Sequence, residues 1–255
     1  VLLNLANNLS LNSNYNYLFI AFSGEEHGLL GSSYFAKNPT VDLKKVKFML
    51  NFDMVGRLND ERTLAVNGVG TSDAWGKLLN KANTMNFVLK TSESGFGASD
   101  HTAFYLQEIP VLHFFTGQHE DYHKPSDDVD KINFNGMYLI MEYVKSIIEH
   151  SEKIKTFKFQ ETVTTEKSTP KFKVTLGIMP DYLYDGKGLK IDGVTKNKTA
   201  NKFGILKGDI IVKLGDLEIT DIYKYMEGLS LHKTGDSTIV RVKRGEKILD
   251  VPIVF

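Results

Sequence analysis

Tyr17-Leu18-Phe19-Ile20-Ala21-Phe22-Ser23-Gly24-Glu25-Glu26-His27-Gly28 is the stretch from which the rest of the chain can be read. Its unbroken apolar run is too short for a helix and stops at Ser23-Gly24, which predicts a buried strand. Two carboxylates follow where that strand would end. The pattern recurs downstream: Val46 to Phe52 predicts a second strand before Asp53, and Ile109 to Phe115 a third before Thr116-Gly117. Helical spacing fills the intervals, at Leu29–Lys37, Ala74–Asn86 and Phe134–Glu149. Strands separated by helices predict an α/β fold with a mostly parallel sheet covered on both faces. In such sheets the chemistry collects beyond the carboxyl ends of the strands.

At the N-terminal side, Leu2, Leu5, Ala6 and Leu9 recur at helical steps with no start signal before them, and the first residue is Val1. The expectation is a piece of a longer polypeptide, so that no targeting segment can be read. On the other side, composition turns polar and rich in Lys, Thr and Glu from Ser151 to Lys173, which predicts a linker. Beyond it the style changes to short β-rich pieces: Ile210–Leu214, Ser237–Val242 and Ile248–Phe255. Glycines separate them, and one helical pattern lies at Asp221–Leu229. The expected organisation is therefore a first domain over 1–150, a linker over 151–173 and a small β-rich domain over 174–255.

Composition narrows the chemistry. Hydrophobic residues are 42% and charged residues 24% of the 255, as in ordinary globular proteins. Thirty-one basic residues balance thirty-one acidic ones, so no overall field favours nucleic acid or an anionic membrane. The apolar runs are too short to cross a bilayer as a helix. With no cysteine, thiolate ligands, disulfides and a cysteine nucleophile are excluded, and any metal must be held by His, Asp or Glu.

Glu25-Glu26 at a strand end is costly unless a positive charge lies between the carboxylates. A divalent cation would supply it, one carboxylate binding metal and the other handling a water proton. A pair of solvated glutamates at a helix N-terminus is the alternative. Asp53 is either a ligand or a turn residue. Gln118-His119-Glu120-Asp121-Tyr122-His123 gathers His, Tyr and acids into one loop after the third strand. Oxygen and imidazole donors without thiolate suit a catalytic zinc. Asp100 and His101 fit either an outer layer that orients a ligand or the cap of a helix beginning near Thr102. Trp75, His27, His113, His150 and His232 read as core or scattered surface residues.

Four segments together resemble a family. Ser23-Gly24-Glu25-Glu26-His27-Gly28-Leu29-Leu30-Gly31-Ser32, Asn51-Phe52-Asp53-Met54-Val55-Gly56, Ser99-Asp100-His101-Thr102-Ala103-Phe104 and Tyr122-His123-Lys124-Pro125-Ser126-Asp127-Asp128 are similar, in that order, to the signatures of co-catalytic zinc exopeptidases of the aminopeptidase S / aminopeptidase Y type. The resemblance implies a phosphorylase/hydrolase-like three-layer α/β/α sandwich binding two zinc ions and acting on peptide substrates. It implies Glu25 as general acid/base, Glu26 as a ligand of one zinc with His123, and Asp53 as a ligand of the other. Tyr122 matches a tyrosine that helps polarise the scissile carbonyl in part of the family. Asp100 and His101 fall beside the site. The family's first zinc-binding His and its metal-bridging Asp have no counterpart in this sequence. The expectation is therefore incomplete metal binding and little or no peptidase activity from the chain by itself.

From about residue 174, Gly186-Lys187-Gly188-Leu189-Lys190-Ile191, Val194, Ala200, Gly204-Ile205-Leu206-Lys207-Gly208-Asp209-Ile210-Ile211 and Gly235-Asp236 resemble a PDZ domain of bacterial protease type. That resemblance implies capture of a peptide or protein C-terminus by strand addition near Gly188, Leu189 and Ile191; a spacer module without ligand is the alternative. Related activities on the same scaffold are glutaminyl cyclisation and carboxypeptidase action. A further alternative is a non-catalytic peptide-binding protein built on a degenerate peptidase scaffold. An extracytoplasmic location follows from the resemblance.

Overall fold

Backbone pairing in the first half is built from the apolar runs that lie nearest each other in space. In the computed structural model, which describes residues 1–9, 14–162, 174–181, 184 and 186–255, the chain divides into two units. One comprises Val1–Gly117 and Pro125–Val163, the other Gln118–Lys124 and Thr164–Phe255.

In the first unit, helices α1 (Leu2–Leu9) and α2 (Leu30–Lys37) precede strands β1 (Met49–Phe52) and β2 (Thr63–Asn67). Then come α3 (Trp75–Ala82), β3 (Val88–Ser92), α4 (His101–Tyr105), β4 (Val111–Phe115) and α5 (Phe134–Ser151). The sheet order is β1-β4-β2-β3, with β1/β4 and β2/β3 parallel and β2/β4 antiparallel. Strand β4 is buried along its whole length because it has a neighbour on each side. Two apolar clusters hold the unit. One packs Phe114, Leu112 and Leu64 with Trp75 of α3 and Tyr143 of α5. The other joins Phe104 and Tyr105 to Ala36 and Val111. Trp75 is fully buried, its indole N–H donating to Thr71 Oγ1 at 3.2 Å.

The run chosen from sequence as the first strand, Tyr17 to Phe22, belongs to no strand. The backbone of Leu18–Phe22 makes no hydrogen bond among the described residues. Leu18 and Phe19 are exposed, and the segment borders a cleft of about 580 Å³ together with Leu2, Leu5, Phe48 and Leu50. A strand needs a neighbour's amides as well as apolar side chains, and none pairs with this run among the described residues.

Part of the expected linker also behaves otherwise. After α5, Phe157 packs into the Trp75 cluster, and the Gln160 N–H donates to Thr71 O at 2.9 Å. Thr162 accepts from the Gly95 N–H at 3.1 Å through its hydroxyl. Residues 152–162 are thus a strap on the first unit; 163–173 lie outside the described residues.

The second unit contains β5 (Ile178–Pro180), β6 (Leu189–Val194), α6 (Thr199–Lys202), β7 (Ile210–Leu214), β8 (Leu217–Glu218), α7 (Ile222–Ser230), β9 (Ser237–Arg244) and β10 (Lys247–Val254). Its sheet runs β10-β9-β7-β6-β5, with β8 paired to β7. Alternation along β9 sends Val240 and Val242 inward, and an irregularity in β7 between Ile211 and Lys213 lets Ile211 and Leu214 join them, in a core closed by Tyr225 and Leu229 of α7. Buried Asp209 receives two N–H bonds from Arg244, at 2.7 Å each, which satisfies a carboxylate that burial would otherwise penalise. Among the described residues, no helix is long and apolar enough to cross a membrane.

Candidate active site

Glu25 and Glu26 sit on a single 3-10 turn, Glu25–His27, bracketed by Gly24 at φ 68 and Gly28 at φ 99. Both glycines adopt left-handed backbone that side chains with a Cβ resist. The turn is clamped onto α2: the Leu30 N–H donates to Gly24 O at 3.1 Å and the Gly31 N–H to Ser23 O at 2.9 Å. Gly31 is required by this contact, since a Cβ there would lie 2.7 Å from Ser23 O. Glu26 is exposed and Glu25 half-buried.

Asp53 follows β1, and its N–H donates to Phe114 O of β4 at 3.2 Å. Met54 turns the chain at φ 49, with its carbonyl held by the Thr116 hydroxyl. The Asp53 carboxyl is raised above the usual range by burial, despite a hydrogen bond from Ser99; the charges of Glu26 and Asp100 push it the same way. Burial also raises Asp100, whose bond with Ser32 opposes the shift, and its Oδ1 is buried with no partner among the described residues.

Asp100 occupies the N-cap position of α4, yet its side chain makes no capping bond. Of the two roles open to it from sequence, capping is not the one seen; the carboxylate faces the Asp53 cluster instead. His101 is buried in α4, its ring stacked on His113 of β4 with centroids 4.6 Å apart. Burial holds both imidazoles neutral, His113 down to about 4 and His101 well below its ordinary value, the latter also depressed by His113. His113 Nδ1 lies 3.3 Å from Asn67 Nδ2.

Tyr122 and His123 stack with ring centroids 3.8 Å apart, and His123 has φ 55. They lie on Gln118–Lys124, the segment grouped with the second unit, whereas Glu25, Glu26, Asp53 and Asp100 belong to the first. The charges of Glu26 and Asp100 lie close enough to Asp53 to raise its proton affinity, the behaviour of a carboxylate among others that lack an intervening cation. The donors are right in kind for a hard or borderline metal. In number they fall short: among the described residues, no three His, Asp or Glu side chains form a group able to hold an ion.

The residues expected to bind a peptide in the second unit require a correction. Strand β6 lies between β7 and β5, so it has no outer edge to offer. The Gly188 N–H donates to Thr220 O at 3.0 Å, Leu189 pairs with Ile211, and the Ile191 N–H donates to Asp209 O at 2.8 Å. Leu189 and Ile191 point into the core. Gly188 is needed because, at φ 105, a Cβ would stand 2.8 Å from Ile211 O. A glycine required for internal packing resembles, in sequence, one required for a ligand.

Three residues carry no role that their motifs announce: Ser32, which bonds Asp100, Ser99, which meets Asp53, and Asn51, whose Nδ2 lies 2.7 Å from Ser99 Oγ.

Residues 1–148 match the model of Peptidase family M28, and residues 163–254 match that of the PDZ domain. The chain is 31% identical over 165 residues to Aminopeptidase YwaD of Bacillus subtilis, covering 59% of this chain and 36% of that protein. It is 28% identical over 147 residues to Leucine aminopeptidase 2 of Arthroderma otae, covering 46% and 30% respectively. Among solved structures, a zinc aminopeptidase from Bacillus subtilis is similar at 28% identity and TM-score 0.51, over 64% of this chain and 43% of that one. This chain thus spans about a third of the length of these curated relatives. With the paired glutamates, Asp53 and the Ser99-Asp100-His101 turn inside the matched segment, the chain belongs to peptidase family M28, its peptidase part being followed by a PDZ domain.

Proposed function

We propose that the protein is a zinc-dependent aminopeptidase that removes N-terminal residues from peptides. The observation that carries this reading is the carboxylate cluster of Asp53, Glu26 and Asp100 beyond the end of β1, within the segment that matches family M28. Glu26, Asp53 and His123 would hold metal, which when bound lowers the pKa of water and polarises a carbonyl. Glu25 takes the proton from the attacking water and delivers it to the leaving amine, a transfer worth roughly 10²–10⁴-fold. Tyr122 donates to the developing oxyanion, and Asp100 and His101 back the site without touching substrate.

The three ligands are fewer than the five implied by the family resemblance, so the 255-residue chain is expected to bind zinc weakly and to hydrolyse amino-acyl reporters slowly at best. Robust hydrolysis by the purified chain, abolished by a chelator, would overturn that expectation. In an M28 protein with the full ligand set, Glu25→Gln should keep its zinc and lose most turnover; a near-normal turnover number removes Glu25 from the role. We place the protein outside the cytoplasm, which fractionation of the source cells tests.

A second reading is favoured by the absence of a three-ligand group among the described residues: a non-catalytic scaffold that presents a peptide-binding PDZ domain. In that domain, peptide addition would use β5, the outer strand, where Pro180 sits as Pro does on sheet edges. Elemental analysis of the gene-complete protein, after dialysis against metal-free buffer, separates the readings. About two zincs per chain support the co-catalytic peptidase, one favours a cyclase-like centre, and none in a folded protein favours the peptide binder. Titration with peptides bearing free or amidated C-termini tests carboxylate capture.

A further inference from the structure

A second cavity, of about 950 Å³, opens in the first unit at the end of the sheet away from Asp53. Lys47, on its wall, lies two residues before β1, and Ile109 and Pro110 run directly into β4. β1 and β4 are parallel, so this wall stands beyond their amino ends, whereas Asp53 follows the carboxyl end of β1. The steps from Lys47 to Asp53, at roughly 3.3 Å each, separate the two places by up to about 20 Å.

Five lysines line the cavity: Lys37, Lys44, Lys45, Lys47 and Lys155. The acids among the lining are Asp42 and Glu108. Over the whole chain the two signs balance, so positive charge is concentrated here. None of the five lysines forms an ion pair with a carboxylate among the described residues. Asp42 is engaged locally: its Oδ1 accepts from the Lys44 N–H at 3.1 Å and caps the 3-10 turn Leu43–Lys45.

Lys47 is the half-buried member of the set; the other four are exposed. Its Nζ donates to the Ile154 carbonyl at 2.7 Å and to the Tyr15 hydroxyl oxygen at 2.9 Å. That hydroxyl gives its own proton to Ser151 O, so it serves Lys47 as an acceptor. The ammonium also lies 4.7 Å from the centroid of the Tyr15 ring. Each of these partners is neutral. An ammonium has three N–H donors, and the third meets no acceptor among the described residues. An anion would complete this arrangement, because a charge drawn partly out of water is stabilised by an opposite one.

We propose that this cavity binds a small anion carrying two or more phosphate groups, with Lys47 as its inner contact and the four exposed lysines gathered around it. Lysines act on phosphate as point charges, and several of them suit a ligand whose charge is spread over several groups. The volume is that of an ordinary small-molecule site. Lys155 is held beside it by the strap after α5, which Phe157 anchors in the Trp75 cluster. The inference does not rest on the peptidase reading.

The test is calorimetric titration of the 255-residue chain with sodium tripolyphosphate at low ionic strength, after dialysis has freed the protein of metal that the probe would chelate. One saturable site per chain is expected, with orthophosphate at least about tenfold weaker. Lys47→Met keeps the stem, removes the charge and should weaken tripolyphosphate by at least about tenfold. Should that variant fail to fold, Lys44→Gln combined with Lys45→Gln on the exposed turn decides, with a loss of about tenfold expected. Lys77→Gln combined with Lys81→Gln, at exposed positions of α3 outside the cavity, removes as much charge. It should leave the affinity within about twofold. ATP identifies the source of the phosphates. Tighter binding of ATP than of tripolyphosphate supports an organic ester resting on the apolar wall of Ile109, Pro110 and Phe157; tighter tripolyphosphate supports an inorganic chain. The absence of saturable binding, orthophosphate as tight as tripolyphosphate, an affinity untouched by the cavity variants, or an equal loss in the α3 control overturns the proposal.

Discussion

Two apolar runs of similar appearance have different fates. Val111–Phe115 becomes β4, buried throughout, with β1 on one side and β2 on the other. Tyr17–Phe22 is at least as apolar, yet it lies outside every strand and keeps Leu18 and Phe19 at the surface. Side chains announce that a segment gains from burial; pairing depends on which other backbones are within reach. Hydrogen bonding contributes most where the alternative is a buried, unpaired amide, and of these two runs only Val111–Phe115 meets that condition.

The sharpest way to break this contrast is amide hydrogen exchange. Amides of Val111–Phe115 should exchange only on global opening and those of Leu18–Phe22 almost freely, a difference on the order of 10⁴-fold for a marginally stable domain. Comparable protection of the two runs would show that Tyr17–Phe22 has found a partner in solution.

Next in size is a pair of truncations. Phe114 is fully buried and stacks on Phe52 with centroids 5.5 Å apart, so Phe114→Ala should cost about 3–5 kcal/mol in urea unfolding. Phe19→Ala, at a side chain 36% exposed, should cost less than about 1 kcal/mol. Equal costs would erase the distinction.

Protonation probes β4 from within. Burial lowers His113 from 6.5 to about 4, so the unfolded chain binds its proton first as pH falls. The stability tied to the neutral ring is intact above about pH 6.5 and is lost progressively down to about pH 4, on the order of 3 kcal/mol in all. Asp53 and Asp100 act in the opposite sense, because raised carboxyls bind protons more readily when folded and are relieved by acid. The difference between wild type and His113→Gln isolates the histidine. A pH dependence unchanged by that substitution would mean that the ring is already solvated.

The smallest effect lies at the start of α5, which covers Phe114 through Tyr143. Asn133 caps this helix, its Oδ1 accepting from the Gly136 N–H at 2.8 Å. Asn133→Ala should cost about 1 kcal/mol by thermal unfolding. No loss would mean that packing alone sets the helix start.

Much of this architecture was legible in the sequence. Helix α5, the Ile210–Leu214 strand and the last hairpin carry strong periodicity over their full length, and the structure agrees with each within a few residues. Strands β2 and β3 were missed. β2 is a five-residue apolar piece between polar turns, and β3 is Val-Leu-Lys-Thr-Ser with exposed ends, so neither shows alternation long enough to register. Around the candidate site, the residue types single out Glu25, Glu26 and Asp53, since carboxylates that directly follow apolar runs are chemically conspicuous. Ser99 and Asn51 were silent because small polar residues occur everywhere, and only their placement beside Asp53 gives them meaning. The glycine loop before β6 misled for a related reason: strand order within the sheet, which no local motif encodes, decides which strand has an open edge.

Trp75 is the chain's single tryptophan, and it is sealed between Phe48 and Phe157 in the first unit. Intrinsic tryptophan fluorescence therefore watches one unit alone. Excited selectively near the red edge of its absorption, it follows the peptidase part through denaturation while the PDZ part remains optically dark. The separate unfolding of the two parts can thus be resolved in the unmodified protein, by comparing the fluorescence midpoint with that of a probe which sees the whole backbone.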